Sequence, residues 1–247
     1  MTHTPLHNKV AVVTGAGRGI GRAIALAFAQ AGAAVVCAAR TAAEIEETAR
    51  EIERGGGRGL ALPGDVTDLP AVERLFAQTV AAFGGLDLLV INAGVSLESR
   101  PVEESDPNAW RATMEVNLFG AYHCARAAIP HLRARGGGKI ITVGSGMGRR
   151  GAVGSSAYSC SKAALWMLTR VLAQELWPDN ISVNELIPGP VETSMTGAPT
   201  ARQGPAFGAE SEWIKQPDDV APLALFLATQ PAVGPTAQSF SLMRRDG

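Results

Sequence analysis

Tyr158 and Lys162 stand four residues apart in GSSAYSCSKAAL (154–165) and share one face wherever that segment is helical. A free phenol titrates near pH ~10 and is a poor base at neutral pH. An adjacent ammonium favours the phenolate, and each unit by which the pKa falls corresponds to about 1.4 kcal/mol. So placed, Tyr158 would give a proton to a carbonyl oxygen, or take one from an alcohol, as a hydride moves at the neighbouring carbon. Taken alone, the pair reads more readily as a packed tyrosine with a lysine snorkelling over it, since the pattern is common by chance.

A second cluster, TGAGRGIGRAIA (14–25), crowds glycines between an apolar run and a helix-like stretch. The common dinucleotide spacing G-x-G-x-x-G fails, because Ile20 occupies the third glycine's place. Gly15, Gly19 and Gly21 instead give G-x-x-x-G-x-G. Missing side chains at a strand-to-helix turn let the backbone approach a diphosphate, and the helix N-terminus offers free N–H groups. A turn needing glycine for positive φ or tight packing has the same appearance. Where an acid would accept from a ribose 2′-hydroxyl, the chain has Ala39 followed by Arg40. No carboxylate there repels a 2′-phosphate, and Arg40, with Arg18 inside the loop, would pair with one. Two solvated arginines are the plainer reading, yet the missing acid favours NADP(H) over NAD(H).

These side chains need a frame, and strand and helix patterns alternate along the chain. KVAVVT (9–14) is a continuous β-branched run, as in a strand covered on both faces. Further strands are expected at 33–39, 59–65, 86–94, 139–145, 181–189 and 239–243. Helices are expected at 18–30, 41–54 with Thr41 as N-cap, 69–83, 107–133, 156–177 and 217–229. Such alternation implies one doubly wound parallel α/β sheet with helices on both faces and ligands beyond the carboxyl ends of its strands. No repeat or linker divides residues 1–247, so a single domain is expected.

Composition narrows the function. With 46% apolar and 18% charged residues, the 247-residue chain is ordinary globular protein. A net charge of −1 and scattered basic residues give no field for nucleic acid or an anionic membrane. Cys37, Cys124 and Cys160 sit in apolar or helical surroundings, as small buried hydrophobes in a reducing compartment would. The four histidines are dispersed, and no zinc spacing suggests a metal. MTHTPLHNKV has no apolar signal core, and Gln30 and Gly32 interrupt the apolar stretch 23–39. A cytoplasmic protein is expected.

In TGAGRGIG (14–21), GDV (64–66), NAG (92–94), VNLFG (116–120), Ser145, YSCSK (158–162) and PGPVET (188–193), the chain resembles the short-chain dehydrogenase/reductase family. The motifs follow the family's order and cover nearly the whole chain. The resemblance implies a Rossmann domain with seven parallel strands in the order 3-2-1-4-5-6-7. It implies a tetrad in which Ser145 holds the substrate oxygen, Tyr158 is the general acid/base and Lys162 binds the nicotinamide ribose while lowering the Tyr158 pKa. Asn117 would anchor a water that relays protons to Lys162. For the cofactor it implies Gly15, Arg18, Gly19, Ile20 and Gly21 at the diphosphate and Arg40 at the 2′-phosphate. Asp65 would meet the adenine amino group, with Val66 on the ring, and Asn92, Ala93 and Gly94 would line the adenine ribose. Pro188, Gly189, Val191 and Thr193 would close over the nicotinamide.

Departures are few. Ile91 replaces an asparagine common before NAG, and the T-G-Q that usually precedes the last strand has become Thr236-Ala237-Gln238. The glycine-rich ending is reduced to Arg244-Arg245-Asp246-Gly247. Gly146, Met147, Ser155 and a lid of about 190–215, with Met195, Phe207 and Trp213, are expected to face a neutral or apolar carbonyl or alcohol substrate. Family likeness also implies a homotetramer, or a homodimer, built on the helices 107–133 and 156–177. Two rivals share the skeleton. A 3-oxoacyl-(acyl-carrier-protein) reductase would favour arginine where Gly136 and Asp179 stand, although Arg133 and Arg135 lie close by. A non-catalytic NADP(H)-binding regulator would not need the tetrad.

Overall fold

The computed structural model describes residues 4–195 and 213–243. Seven strands form one parallel sheet in the order β3-β2-β1-β4-β5-β6-β7, as expected. They are β1 (Val10–Thr14), β2 (Ala34–Ala39), β3 (Arg58–Pro63), β4 (Leu88–Ile91), β5 (Gly138–Val143), β6 (Ile181–Ile187) and β7 (Ser239–Ser241). The helices between them are α1 (Gly19–Gln30), α2 (Ala42–Arg54), α3 (Leu69–Phe83), α4 (Pro107–Met114), α5 (Gly120–Ala134), α6 (Met147–Arg150), α7 (Ser156–Leu176) and α8 (Ala221–Thr229).

Side-chain alternation along the strands divides the core in two. Ala11, Val13, Val35, Cys37, Val90 and Val143 face one layer, closed by Ile24 and Phe28 of α1, Ile45 and Ile52 of α2 and Leu227 of α8. Val12, Val36, Leu89, Ile140 and Val183 face the other, closed by Phe76 of α3, Leu132 of α5 and Leu165 and Leu172 of α7. With both faces covered, β1 and β6 are buried at every position. Phe28 and Phe76 anchor the two layers, each fully buried and each stabilising the fold by about 1.5–3 kcal/mol.

Local signals set the ends of several helices. Asp68 caps α3 by accepting from the Ala71 N–H, and Gly84, at φ 81°, ends it by donating to the Val80 carbonyl. Asp106 caps α4 at Pro107 in the same way, through the Asn108 N–H. Thr41 does occupy the N-cap position of α2, but its side chain makes no capping bond.

Three expectations need correction. The helix expected over 107–133 is not uniform: Glu115–Phe119 form a π-helical turn between α4 and α5. Hydrophobic spacing does not register one extra residue in a turn, so the pattern could not show it. The strand ends expected at Asp65 and Asn92–Gly94 are loop, because pairing stops at Pro63 and Ile91. Cys37 and Cys124 are buried, whereas Cys160 is exposed, since it lies on the outer side of α7.

Ala237 takes the place of the family's glycine just before β7, and its φ is 58°. Its N–H donates to the Val183 carbonyl and its own carbonyl accepts from Arg170, so the conformation is held from both sides. A side chain at positive φ is disfavoured by its Cβ. Ala237→Gly is therefore expected to stabilise the protein by about 0.5–1 kcal/mol despite the added freedom of the unfolded chain. Thermal unfolding checks it: Tm should rise by about 1–4 °C.

Candidate active site

The carboxyl ends of the strands converge on one edge, and the expected site residues lie there on separate elements. At the end of β1 the chain turns through Gly15 (φ 66°) and Gly19 (φ 55°) into α1. A Cβ on Gly21 would lie 2.3 Å from the Gly15 carbonyl oxygen and 2.4 Å from Asn92 Nδ2. The third glycine of the motif thus serves close packing of helix against loop. The N-terminus of α1 has no side-chain cap and no acid in its first turn, which leaves its dipole end open to an anion. Ile20 packs against the core beneath this turn. Thr193 reaches it from the loop after β6, with its Cγ2 3.4 Å from where a Gly19 Cβ would stand.

Thr14 and Asn92 clasp β1 to β4. Asn92 Nδ2 donates to the Thr14 carbonyl at 2.9 Å and to that of Gly15 at 3.3 Å. The Thr14 hydroxyl accepts from the Asn92 and Ala93 N–H groups. Asn92 therefore shapes the glycine loop through its side chain. Asp65 accepts from the Thr67 N–H and hydroxyl and lies 3.9 Å from Arg40. The Arg18 guanidinium pairs with Glu44 of α2 at 3.2 Å. Glu44 was not singled out in the sequence, yet it also abuts the loop at Gly17. Val66 packs against Gly120, and its carbonyl accepts from His123 Nδ1.

The four residues of the expected tetrad come together. Asn117, 1% exposed in the π-helical turn, accepts from the Val95 N–H and donates to the Val95 carbonyl and to Ser161. With its side chain so engaged, Asn117 fixes the loop after β4 against α7. Ser161 passes the contact on by donating to the Tyr158 carbonyl. The Lys162 ammonium donates to the Val143 carbonyl at 2.8 Å and lies 5.7 Å from the Tyr158 ring centre. Burial pushes Lys162 down to about 8, against the pull of the Glu185 carboxylate. Burial also raises the Tyr158 phenol, and a hydrogen bond with Ser145 opposes the rise. The lowering expected from Lys162 is not seen at Tyr158: removal from water sets the direction at both groups, and Ser145 rather than Lys162 opposes it at the phenol.

Beyond the tetrad, Gly189 adopts φ 69° after Pro188, and Val191 is buried and bridged to Lys215. Met147 donates its N–H to Ser145 Oγ, while the Ser155 hydroxyl is occupied by Ala152 and Ser159. Of the expected lid, residues 196–212, Phe207 included, lie outside the described residues, as do Arg244–Gly247. Met195 and Trp213, at its two described ends, are exposed. Sequence reading passed over Glu98, whose buried carboxylate gathers the N–H groups of Ser99, Arg100 and Asp106 and the Arg100 guanidinium. The guanidinium above all, then the N–H groups, hold its carboxyl down to about 2. Glu98 thereby shapes the loop after β4 that Asn117 holds, and nothing in its sequence setting marked it.

Two observations fit a dinucleotide to this edge. The glycine loop is open at a bare helix N-terminus. Among the described residues the buried Lys162 ammonium makes a single hydrogen bond, leaving donors for ribose hydroxyls. Among the described residues no group of three or more potential ligands could hold a metal ion.

Residues 9–204 match the family model for short chain dehydrogenase. The chain is 38% identical over 226 residues to cis-4-hydroxycyclohexanecarboxylate dehydrogenase of Sinomonas cyclohexanicum, covering 91% of this chain and 90% of that protein. A dehydrogenase/reductase from Sinorhizobium meliloti 1021 superposes with a TM-score of 0.88 at 38% identity, over 97% of this chain and 95% of that one. A 3-ketoacyl-ACP reductase from the same organism superposes with a TM-score of 0.86 at 35% identity, over 94% and 96%.

Gly21→Ala puts a methyl into the Gly15 carbonyl, which the clasp prevents from moving. It is expected to cost about 1–3 kcal/mol. Calorimetry should show Tm lowered by several degrees, and an unchanged Tm would contradict the packing role.

Proposed function

The chain belongs to the short-chain dehydrogenases, and we propose from that premise that it interconverts a carbonyl and a secondary alcohol, with Tyr158 as general acid/base. The observation that carries this reading is the buried Lys162 ammonium, held by the Val143 carbonyl and 5.7 Å from the centre of the Tyr158 ring. A substrate oxygen accepting from the Tyr158 and Ser145 hydroxyls has its developing negative charge met by two donors. A bound nicotinamide dinucleotide supplies or accepts the hydride. Tyr158 delivers the proton to the oxygen in reduction and removes it in oxidation. Lys162 holds positive charge near the phenol, favouring its ionised form at the moment the proton leaves. Asn117 keeps α7 and the loop after β4 in register, so that Tyr158 and Lys162 meet the substrate together.

Tyr158→Phe removes the transferable proton and little volume. Turnover is expected to fall by about 10²–10⁴-fold with dinucleotide affinity retained. Near-wild-type turnover in steady-state assays of a carbonyl and alcohol panel would defeat the reading. The same panel addresses the non-catalytic regulator, which would bind the nucleotide and turn nothing over.

In this reading NADP(H) is preferred, supported by Ala39 and Arg40 at the end of β2, where the strand ends on a guanidinium rather than an acid and the contact with Asp65 is long, 3.9 Å. Arg40→Ala is expected to reduce the NADPH-over-NADH ratio of kcat/KM by about 10-fold or more. An initial preference for NADH, or an unaltered ratio, would refute it. The carrier-protein reading is weaker, because both nearby arginines are already paired: Arg133 with Asp179 at 2.8 Å and Arg135 with Asp87 at 3.1 Å. A free small-molecule substrate is the consistent choice. Phe119, Tyr122, Met167 and Val171 expose apolar surface on the π-helical turn, α5 and α7, which supports a homotetramer over a monomer. No helix among the described residues is long and apolar enough to cross a membrane. The free, buried thiols of Cys37 and Cys124 support a reducing compartment, and on them we place the protein in the cytoplasm.

A further inference from the structure

Glu185 is a carboxylate in a strand that is otherwise apolar or neutral, and it is 1% exposed. Its Oε2 accepts from the Arg149 guanidinium at 3.0 Å and from the Ser239 hydroxyl at 2.6 Å, and Arg149 also donates to Ser239. Its other oxygen packs on Gly144, where a Cβ would come within 1.9 Å. An alanine at 144 would leave the carboxylate no room. Gly144 separates Val143, whose carbonyl receives the Lys162 ammonium, from Ser145. Arg149 stands four residues beyond Ser145 on α6, with its guanidinium 5.4 Å from the Trp166 ring of α7. One buried side chain therefore touches the segment carrying Ser145 on both sides of that serine.

We propose that Glu185 is a positioning residue for the Tyr158–Lys162 pair, fixing the Gly144–Arg149 segment and placing a negative charge near the ammonium that stands beside the phenol. The inference rests on the acid/base reading of Tyr158. Stability alone does not require a charge here, since an apolar side chain of similar volume usually serves a buried position as well or better. The ammonium is the group on which the charge acts: Glu185 opposes the fall of Lys162 that burial causes. The other charges on neighbouring elements are directed elsewhere. Arg149 of α6 is in the pair with Glu185, while Arg111 of α4 and Glu115 of the π-helical turn line a separate outer groove. Lys139 of β5 donates to the Pro231 carbonyl, and Asp179 beyond α7 holds Arg133. Arg170 of α7 donates to the Ala237 carbonyl, and the Tyr158 ring centre stands 5.7 Å from the Lys162 ammonium.

A negative charge raises the pKa of every group near it, so removing it lowers them. Tyr122 and Tyr158 are the chain's two tyrosines, and Tyr122→Phe leaves one phenol whose ionisation can be followed by ultraviolet difference absorbance without any cofactor. Adding Glu185→Gln to that background is expected to lower the phenolate midpoint by about 0.5–1 pH unit. The pH limbs of kcat/KM should move the same way, and kcat should fall. A structural role alone would change Tm and kcat but leave both midpoints in place. Glu185→Gln that folds, with its midpoint unmoved, overturns the proposal. Should it not fold, Arg149→Gln takes its place: the unpaired carboxylate is expected to raise the midpoint, and an unmoved or lowered one overturns the proposal. Tyr158→Phe separates the two failures, because an active Tyr158→Phe defeats the acid/base reading itself, whereas an inactive one beside an unmoved midpoint defeats the role of Glu185 alone.

Discussion

Lys162 carries its ammonium to a place where 5% of the residue is exposed, and a charge so removed from water must be met by dipoles or by an opposite charge. The Val143 carbonyl meets one of its three protons. Gly94 leaves space beside it: a Cβ there would stand 3.3 Å from Asn117 Oδ1 and 3.7 Å from the ammonium. Asn117 gives both amide protons to Val95 and Ser161 and accepts from the Val95 N–H, so its side chain is held on that loop and on α7. The other two ammonium protons make no further hydrogen bond among the described residues. A ligand rich in hydroxyls would satisfy them, and under the proposed function its binding would be coupled to the charge beside Tyr158.

The sheet supplies what this arrangement requires. With β4 between β1 and β5, the glycine loop and Ser145 leave the same edge with one strand between them. The Thr14–Asn92 clasp spans the place where the chain turns one way after β1 and another after β4. Ligands bind at such switch points because loops diverge there and leave backbone N–H groups uncovered. Gly21 lets α1 approach that clasp closely, and Thr193 closes on the loop from the far side of the sheet. Rigid strands thus hold residues more than a hundred positions apart within one ligand's length.

What the sequence revealed and what it hid follow one physical division. The alternation of strands and helices was legible, because apolar runs and helical patterns report burial, whereas the strand order came from the resemblance that the motifs carry. Tyr158 and Lys162 were legible as one helix face by their spacing, and Asn117 and Ser145 only through that resemblance. Partners far apart in the chain were not. Arg18 read as a free cation in the loop, but α2 brings Glu44 against it. Glu185 looked like one acid in ISVNELI, and only the crossing of β6 past Gly144 and Arg149 gives it meaning. The π-helical turn was hidden for another reason: it changes which face Asn117 occupies without changing the composition of the helix. Cys160 was misjudged because an apolar neighbourhood in sequence says nothing about the outer side of a long helix.

The pairing of both loop arginines bears directly on the choice of cofactor. Arg18 with Glu44 and Arg40 with Asp65 are exposed pairs, and such pairs contribute about 0–1 kcal/mol in water. A 2′-phosphate would offer a guanidinium two parallel charge-assisted bonds, each roughly twice as strong as a neutral one. Exchange of a carboxylate for a phosphate is therefore favourable at Arg40, whose contact with Asp65 is already long at 3.9 Å. It is less so at Arg18, held at 3.2 Å by an acid that also packs against Gly17. Glu44 would in addition repel a phosphate brought close to it. Under the proposed preference for NADP(H), discrimination between the two dinucleotides would fall mainly to Arg40, with Arg18 serving to neutralise Glu44.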